Sequence, residues 1–167
     1  MNNTFNDCRP YYLTALHCGY DNALATTANF NQWVFRFNYQ KANCGSGTKP
    51  AGNQVTGCTW RAHSNDGGGN SGSDFLLVEF NNATINSAFN VYFNGWDKTN
   101  STSNSGVGIH HPAGDVKKIS TYSAYLVNAT WGGASGSHWR VSWVATANGH
   151  GVTEGGSSGS PIFRGSN

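Results

Sequence analysis

The stretch QWVFRFNYQ, residues 32–40, decides the fold class. Its bulky aromatic side chains occupy alternate positions, and polar or smaller side chains lie between them. Because successive side chains of a β-strand point to opposite faces, this period of two predicts an antiparallel strand with one aromatic face. The aromatic positions are Trp33, Phe35, Phe37 and Tyr39.

Other stretches carry the same kind of strand signal, whereas helix signals are nearly absent. Loops rich in Gly, Asn and Ser separate them, and these residues favour turns. The sequence therefore predicts an all-β protein of barrel or sandwich type. The Asn-rich stretch 81–88 indicates a boundary between an N-terminal portion, 1–88, and a C-terminal portion, 89–167. The predicted strands are PYYLTAL (10–16), SDFLLVEF (73–80), NVYFNGW (90–96), KKISTYSAYLV (117–127) and HWRVSWVA (138–145).

The composition is typical of a folded, exported domain. Of the 167 residues, 13% are aromatic, a fraction too high for a disordered chain. Only 11% are charged, a fraction too low for a long solvated helix. The net charge is only +2, and no cluster of Lys and Arg provides the basic surface that nucleic acid requires. No apolar run approaches the ~20 residues of a membrane-spanning helix. Low charge and cysteines without zinc-site spacing favour an oxidising compartment, so we expect a secreted protein.

The stretch EGGSSGSPIF, residues 154–163, allows two interpretations. Glycine and serine at this density are typical of a flexible linker or tail. They also suit a tight turn around a reactive hydroxyl, because glycine adopts the unusual dihedrals that such a turn requires. In that case Ser158 presents the hydroxyl, and the backbone N–H groups of Gly156 and Ser158 form an oxyanion hole.

Two further segments supply the other groups that acyl transfer requires. In LTALHC, 13–18, a strand ends shortly before His17, which alone could be an incidental surface histidine. In GSDFLLVEF, 72–80, Asp74 opens an apolar strand, where aspartate often only caps the entry. A base, a carboxylate and a hydroxyl in the order His17, Asp74, Ser158, all at strand ends, together indicate a catalytic triad.

A rival motif places the nucleophile one residue earlier. Gly155, Ser157 and Gly159 match G-x-S-x-G, the nucleophile elbow of α/β-hydrolases. That family runs serine, acid, histidine along the chain and sets its serine between a strand and a helix. Here only a short stretch follows Ser158, and Pro161 with the next two residues predicts a strand. The elbow interpretation is therefore rejected.

These segments resemble chymotrypsin-like serine proteases. TALHC resembles their T-A-x-H-C segment, SDFLLVEF their D-x-x-L-L-x-x strand, and GSSGSP their G-D-S-G-G-P loop. More narrowly, NNTFNDCRPYYLTALHC, FNYQKANC, GIHHPAGDVKKIS and GVTEGGSSGSPIF resemble bacterial lysyl endopeptidases, over nearly the whole chain. The resemblance implies a double β-barrel, two six-stranded barrels with the catalytic residues in the cleft between them.

The resemblance also implies a role for each site residue. His17 matches the general base, Asp74 the orienting carboxylate and Ser158 the nucleophile. The amides of Gly156 and Ser158 match the oxyanion hole. Trp131 falls where lysyl endopeptidases carry a tryptophan beside the cleft, although core packing is the alternative. The implied protein is a monomeric secreted endopeptidase that cleaves protein or peptide substrates after lysine, binds neither nucleic acid nor membrane, and needs no metal or organic cofactor.

The chain departs from the family pattern in two respects. Ser157 precedes the nucleophile, where animal digestive members carry an aspartate that receives the freed N-terminus. Family members also have strands before residue 1 and after residue 167, and the latter include the acidic residue that selects lysine. We therefore expect a fragment that lacks both ends, with an incomplete barrel and little peptidase activity of its own.

The cysteines and two neighbouring histidines allow further expectations. In the family, the cysteine at Cys18 pairs with one upstream of this chain. We nevertheless expect Cys44 to pair with Cys58 across a glycine-rich loop, and Cys8 to pair with Cys18 because the two are close in sequence. The histidine pair 110–111 resembles a metal site, but neighbouring side chains on a strand point to opposite faces, so we expect no metal there.

Two alternatives to a lysyl endopeptidase stay open at this point. A glutamyl endopeptidase also shows G-x-S-G-S-P at its nucleophile, so the serine loop alone does not separate the two enzymes. A non-catalytic β-domain that binds glycans or peptides would explain the aromatic faces. It would leave His17, Asp74 and Ser158 as three coincidences.

Overall fold

The computed structural model describes residues 1–19, 27–45, 47–66, 72–82 and 84–165. Antiparallel strands and short 3-10 helices make up the regular structure of these residues, which confirms the predicted all-β class. No helix of the described residues is long and apolar enough to cross a membrane. The strands are β1 (Tyr11–Ala15), β2 (Val34–Phe37), β3 (Asn53–Thr56), β4 (Cys58–His63), β5 (Phe75–Phe80), β6 (Gly106–His110), β7 (Lys118–Tyr122), β8 (Val127–Trp131), β9 (Ala134–Arg140), β10 (Ala145–Thr146), β11 (Gly149–His150) and β12 (Ile162–Arg164). The 3-10 helices are Leu16–Cys18, Thr27–Gln32, Ser87–Phe89 and Pro112–Gly114.

The strands of the described residues form several small sheets. Two are three-stranded, in the orders β1-β5-β4 and β12-β6-β7, and the pairs β2-β3, β8-β9 and β10-β11 form two-stranded sheets. A barrel requires that every strand edge find a partner. No closed barrel is seen among the described residues, since each sheet ends at unpaired edges. Every sheet draws its strands from one side of residue 88, and the division into two domains stays a prediction.

A hydrophobic core lies beneath β5 and the aromatic strand β2. Leu76 and Val78 of β5 are fully buried, and Phe35 of β2 packs against Phe80 with ring centroids 4.4 Å apart. The aromatic face predicted for residues 32–40 is confirmed, because Phe35 is buried while its neighbours on the strand, Val34 and Arg36, are exposed. The core residues are Leu16, Phe30, Phe35, Val55, Cys58, Leu76, Val78 and Phe80, with Trp33, Phe37, Trp60, Ile85 and Phe89 packed against them.

Three of the predicted strands differ from the structure. Residues 90–96 form no strand, and the stretch 117–127 is divided, because β7 covers Lys118–Tyr122 and Val127 opens β8. In the stretch 138–145, β9 ends at Arg140 and Ala145 opens β10, and Trp143 lies between them outside any strand. Its indole instead covers β6, where a Cβ on Gly108 would lie 2.7 Å from the ring. Trp143 is therefore half-buried by packing on β6 outside any strand, whereas Trp139, in the same alternation, lies in β9 and is exposed.

Both predicted disulfides are wrong, because all four cysteines are free thiols in the structure. Cys58 opens β4 and points into the core, with its Sγ 3.7 Å from the Phe30 carbonyl oxygen, whereas Cys44 is exposed. Cys8 and Cys18 flank the five residues of β1. A strand rises about 3.4 Å per residue, so these two lie much farther apart than the roughly 4.4–6.8 Å between Cα atoms that a disulfide spans.

Candidate active site

His17 lies in the 3-10 turn that ends β1. Leu16, the residue before it, is 1% exposed and anchors the turn in the core. The Leu16 N–H donates to the Asp74 carbonyl oxygen at 2.8 Å, which ties the end of β1 to the start of β5. Because its neighbour is fixed in this way, His17 emerges at one defined point at the edge of the sheet.

The Asp74 carboxylate accepts two hydrogen bonds from His17. Its Oδ1 accepts the His17 backbone N–H at 2.9 Å, and its Oδ2 lies 2.6 Å from His17 Nδ1. A carboxylate offers only acceptors, so Nδ1 carries a proton in this pair, and in the neutral ring the lone pair then lies on Nε2. The arrangement therefore fixes both the orientation and the tautomer of the imidazole, with Nε2 as the basic nitrogen.

Asp74 is held in place by residues just before it in the chain. Its backbone is left-handed, with φ of 46°, a conformation that costs a non-glycine residue roughly 1–2 kcal/mol. Asp66 Oδ2 accepts the Asp74 N–H at 2.9 Å, and Asp66 Oδ1 accepts the Ser64 hydroxyl at 2.7 Å. Ser64 Oγ in turn accepts the Phe75 N–H at 3.0 Å. This network holds the strained segment from which the carboxylate projects.

The serine loop consists of two consecutive turns. The Ser157 N–H donates to the Glu154 carbonyl oxygen at 2.9 Å, and the Ser160 N–H donates to the Ser157 carbonyl oxygen at 3.2 Å. The third residue of each turn is a glycine with positive φ, 91° at Gly156 and 76° at Gly159. Turns of this kind need glycine at that position. The stretch is therefore an ordered double turn and not a flexible linker.

This double turn packs directly against the end of β1. A Cβ on Gly159 would lie 2.2 Å from Thr14 Oγ1 and 2.6 Å from the Ala15 nitrogen. Only a residue without a side chain allows so close an approach. Cys18 Sγ also lies 4.0 Å from the Ser158 carbonyl oxygen. The fold thus places the loop of Ser158 beside the turn of His17, although the two segments are far apart in sequence.

The exposed face of the loop presents backbone N–H groups. Ser158 and Gly156 are both exposed. Within the described part of the chain, no hydrogen bond engages the backbone N–H of either residue. Backbone N–H groups without a protein acceptor are donors of the kind that an oxyanion hole uses, and the role of these two stays a prediction.

The two neighbouring histidines make different contacts, as their alternation predicts. His110 Nδ1 lies 2.8 Å from Ser157 Oγ, and its Nε2 lies 3.1 Å from Ser120 Oγ. His111 Nδ1 lies 3.0 Å from the Asp115 carbonyl oxygen, and its ring stacks on Tyr39. The two imidazoles therefore serve separate hydrogen-bond partners.

Trp131 closes β8 in the hairpin with β9 and is 60% exposed. Burial in a core, the alternative to a role at the cleft, does not account for a side chain this accessible. Its contribution to substrate binding stays a prediction.

The whole chain matches a known protein family. The family model described as lysyl endopeptidase, C-terminal domain, matches residues 1–167. The chain belongs to this family. It is also 31% identical over 169 residues to a lysyl endopeptidase of Pseudomonas aeruginosa. That alignment covers 98% of this chain and 32% of the relative, so the chain spans about a third of that protein's length.

The sequence predicted His17 and Asp74, which the structure brings into contact, but not the residues that hold the pair in place. Asp66 and Ser64 lie in a polar loop whose composition suggests only a turn. The sequence around His110 suggests only a metal ligand, and Ser120 lies inside a predicted strand without any special signal. The hydrogen bond between Ser120 Oγ and the Val152 carbonyl oxygen, 2.9 Å long, spans 32 residues. Such partners depend on the tertiary fold, so no local pattern reveals them.

Proposed function

We propose that this chain carries the catalytic centre of an extracellular serine endopeptidase that cleaves peptide bonds after lysine. The observation that carries the proposal is the pair formed by His17 and Asp74, 2.6 Å apart, beside the turn that presents Ser158. A binding domain would have no need for an imidazole whose tautomer is fixed by a carboxylate. The preference for lysine rests on the family and on the name of the relative.

The proposed mechanism assigns one task to each group. His17 Nε2 takes the Ser158 hydroxyl proton while the serine oxygen attacks the peptide carbonyl, and then delivers that proton to the leaving amine. Asp74 holds the imidazole in its Nδ1–H tautomer and stabilises its positively charged form. The N–H groups of Gly156 and Ser158 donate to the oxyanion, and each such donor contributes on the order of 10²–10³ in kcat. Water then releases the acyl group by the same route.

Labelling with a fluorophosphonate tests the proposal, because such reagents modify only an activated serine. We expect the protein in its full native length to be modified at Ser158, as located by fragment-ion mass spectrometry. Ser158→Ala and His17→Ala should abolish labelling, since an unassisted serine is a poor nucleophile. His138→Ala, which removes a half-buried histidine on β9 outside the proposed site, is the matched control and should label normally. A protein that resists labelling and hydrolyses no substrate would refute the proposed function.

Substrate specificity is tested separately with ester substrates of lysine, arginine and glutamate. We expect the lysine ester to be hydrolysed fastest. A preference for glutamate would retain the serine peptidase and replace its proposed specificity with that of a glutamyl endopeptidase.

A further inference from the structure

His110 ends β6 and is buried, with only 3% of its surface exposed. Both of its ring nitrogens face a hydroxyl, Ser157 on one side and Ser120 on the other. No step of the proposed mechanism uses this imidazole. This buried side chain is hydrogen-bonded to Ser157, the residue before the proposed nucleophile, and can therefore affect the position of Ser158.

The proton positions along this chain of hydrogen bonds follow from its two ends. Ser120 Oγ donates its proton to the Val152 carbonyl oxygen at 2.9 Å, so towards His110 it can only accept. His110 Nε2 therefore carries a proton, and the neutral ring leaves a lone pair on Nδ1 for the Ser157 hydroxyl proton. Burial, together with the nearby His111, lowers the pKa of His110, which favours this neutral form. Ser157 Oγ finally accepts the Glu154 N–H at 3.2 Å.

The chain of bonds starts and ends in the segment before the proposed nucleophile. It runs from Glu154 through Ser157, His110 and Ser120 to Val152. Ser157 is thereby fixed at its N–H, its carbonyl oxygen and its hydroxyl, because both turns of the serine loop also bond its backbone. The peptide group that joins Ser157 to Ser158 supplies the Ser158 N–H. Fixing Ser157 therefore orients one donor of the proposed oxyanion hole.

We propose that His110 is a positioning residue that holds the Ser157 hydroxyl and so sets the direction of the Ser158 N–H and hydroxyl. The inference rests on the proposed function of Ser158. His110 acts entirely through Ser157 and does not touch the substrate. The bond to Ser120 prevents the ring from rotating, so that Nδ1 and not a carbon atom faces Ser157.

A different role for the same contact is that His110 activates Ser157 as a nucleophile. Three observations weigh against it. Ser157 is half-buried, whereas Ser158 is exposed. The Ser157 oxygen already accepts the Glu154 N–H, which reduces its availability for attack. The far nitrogen of His110 faces the Ser120 hydroxyl and not a carboxylate that would stabilise a charged imidazole.

Two amide substitutions separate positioning from space filling. The side-chain oxygen of asparagine lies where His110 Nδ1 lies, so His110→Asn keeps an acceptor for Ser157 and loses the bond to Ser120. Glutamine reaches the position of Nε2, so His110→Gln keeps the bond to Ser120 and loses the bond to Ser157. Positioning predicts that the smaller asparagine preserves more activity than glutamine. A purely structural role predicts the reverse, since asparagine fills less of the buried space.

The experiment measures kcat, KM and the rate of fluorophosphonate labelling in the protein of full native length. We expect His110→Gln and His110→Ala to lower kcat about 10- to 100-fold, in line with the effect of a misplaced reacting group. KM should change little, because ground-state binding is untouched. His110→Asn should lie closer to wild type. Ser157→Ala, which removes one oxygen atom and is expected to fold, should reproduce the loss, and the His110→Ala/Ser157→Ala double variant should be no worse than either single variant.

The outcomes distinguish this inference from the proposed function. If the wild-type protein labels at Ser158 but His110→Asn is no better than His110→Gln, or if the losses in the double variant add, the positioning role is wrong and the peptidase stands. If the label is found on Ser157, His110 is a base and the inference is overturned. If the wild-type protein neither labels nor hydrolyses any ester, the proposed function itself fails, and the inference fails with it.

Discussion

Asp74 combines three tasks in a single residue of unusual backbone conformation. With φ of 46°, it accepts two hydrogen bonds from His17 through its carboxylate, receives the Leu16 N–H at its carbonyl oxygen, and donates its own N–H to Asp66. Left-handed conformations of residues other than glycine persist only where the surroundings over-determine them. Asp66 accepts one of the hydrogen bonds that hold Asp74 in this conformation, so a mutation of Asp66 tests its importance.

We predict that Asp66→Ala lowers kcat about tenfold, because the loss of a hydrogen bond worth about 1–1.5 kcal/mol frees the Asp74 backbone. Asp66→Asn, which keeps an acceptor oxygen, should lose less. Asn65→Ala is the control, since that neighbouring side chain is exposed. The measurement is kcat on a lysine ester. Wild-type turnover in Asp66→Ala would show that the Asp74 conformation needs no support from Asp66.

The thiols allow a second prediction at this scale. Burial raises the pKa of Cys58 to about 11, so very little reactive thiolate forms at neutral pH. Cys44 is exposed. Alkylation with iodoacetamide under native conditions should therefore modify Cys44 much faster than Cys58, as followed by peptide mapping. Denaturation should equalise the two rates. Recovery of Cys44 and Cys58 in one disulfide-linked peptide would contradict the free thiols of the structure.

The sequence predicted some of these residues and not others for a physical reason. His17, Asp74 and Ser158 are each a reactive residue type beside a strand or a glycine turn, and their order along the chain matches a known family. Asp66 and His110 act through hydrogen bonds to residues brought near by folding, and the bond from His110 to Ser157 spans 47 residues. Residue type alone does not encode such a partner.

At the scale of elements, β5 links the core to the candidate site. Its first residue follows Asp74, its middle residues Leu76 and Val78 fill the core, and Glu79 lies near its end. Glu79 Oε1 accepts Arg9 Nε at 2.8 Å, and Oε2 accepts Arg61 Nε at 2.6 Å. The carboxylate thus joins β4, β5 and the segment before β1.

The two arginines lower the pKa of Glu79, with the hydrogen bond from Arg9 as the largest cause. A carboxyl group with a lower pKa in the folded state stabilises the fold above its unfolded pKa, and this contribution is lost as the pH falls through the folded value. We predict that Glu79→Gln lowers the free energy of unfolding by about 1 kcal/mol at pH 7, because both arginines are partly exposed and water weakens the pairs.

Urea unfolding of both proteins at several pH values measures this difference. The difference should shrink in the acid range below about pH 4.3, the ordinary pKa of glutamate, where wild type protonates and loses its advantage. A difference that stays constant down to pH 3 would show that Glu79 acts through packing and not through charge.

The strands that the sequence predicted best are those with one buried face. The aromatic alternation of β2 and the apolar run of β5 match the structure closely, because burial on one side produces a period of two. β4 was not predicted, since its sequence CTWRAH mixes charged and aromatic residues. The alternation over 138–145 predicts one continuous strand, but Trp143 is half-buried against β6 outside any strand, because packing can cover an aromatic side chain without strand pairing.

At the scale of the whole molecule, burial is uneven. The core beneath β2 and β5 contains several aromatic rings, whereas Val127, Trp131 and Trp139 of the β8-β9 hairpin are exposed. The strand pattern predicted a barrel or a sandwich without separating the two, and the two closed six-stranded barrels were implied by the resemblance alone. Closure depends on pairing between strands far apart in sequence, which local periodicity does not specify.

This distribution predicts that stability depends on the core beneath β5. Val78 is fully buried, and Val34, a valine on another strand, is 55% exposed. Val78→Ala removes two buried methyl groups and leaves a cavity, so we expect it to lower the free energy of unfolding by about 2–3 kcal/mol. Val34→Ala, the matched control, should cost less than about 0.5 kcal/mol, as is usual for surface positions.

Urea unfolding measures both variants, and kcat on a lysine ester shows whether the site follows the core. Because Val78 lies four residues after Asp74 on the same segment, a loosened β5 shifts the carboxylate that orients His17. We therefore expect Val78→Ala to lower kcat as well as stability, even under conditions where the protein is fully folded, and Val34→Ala to leave kcat unchanged.

Equal losses of stability in the two variants would show that the described core is not what holds the fold. Reduced stability with unaltered kcat in Val78→Ala would show that the hydrogen bonds at Asp74 position the carboxylate independently of the packing beneath it.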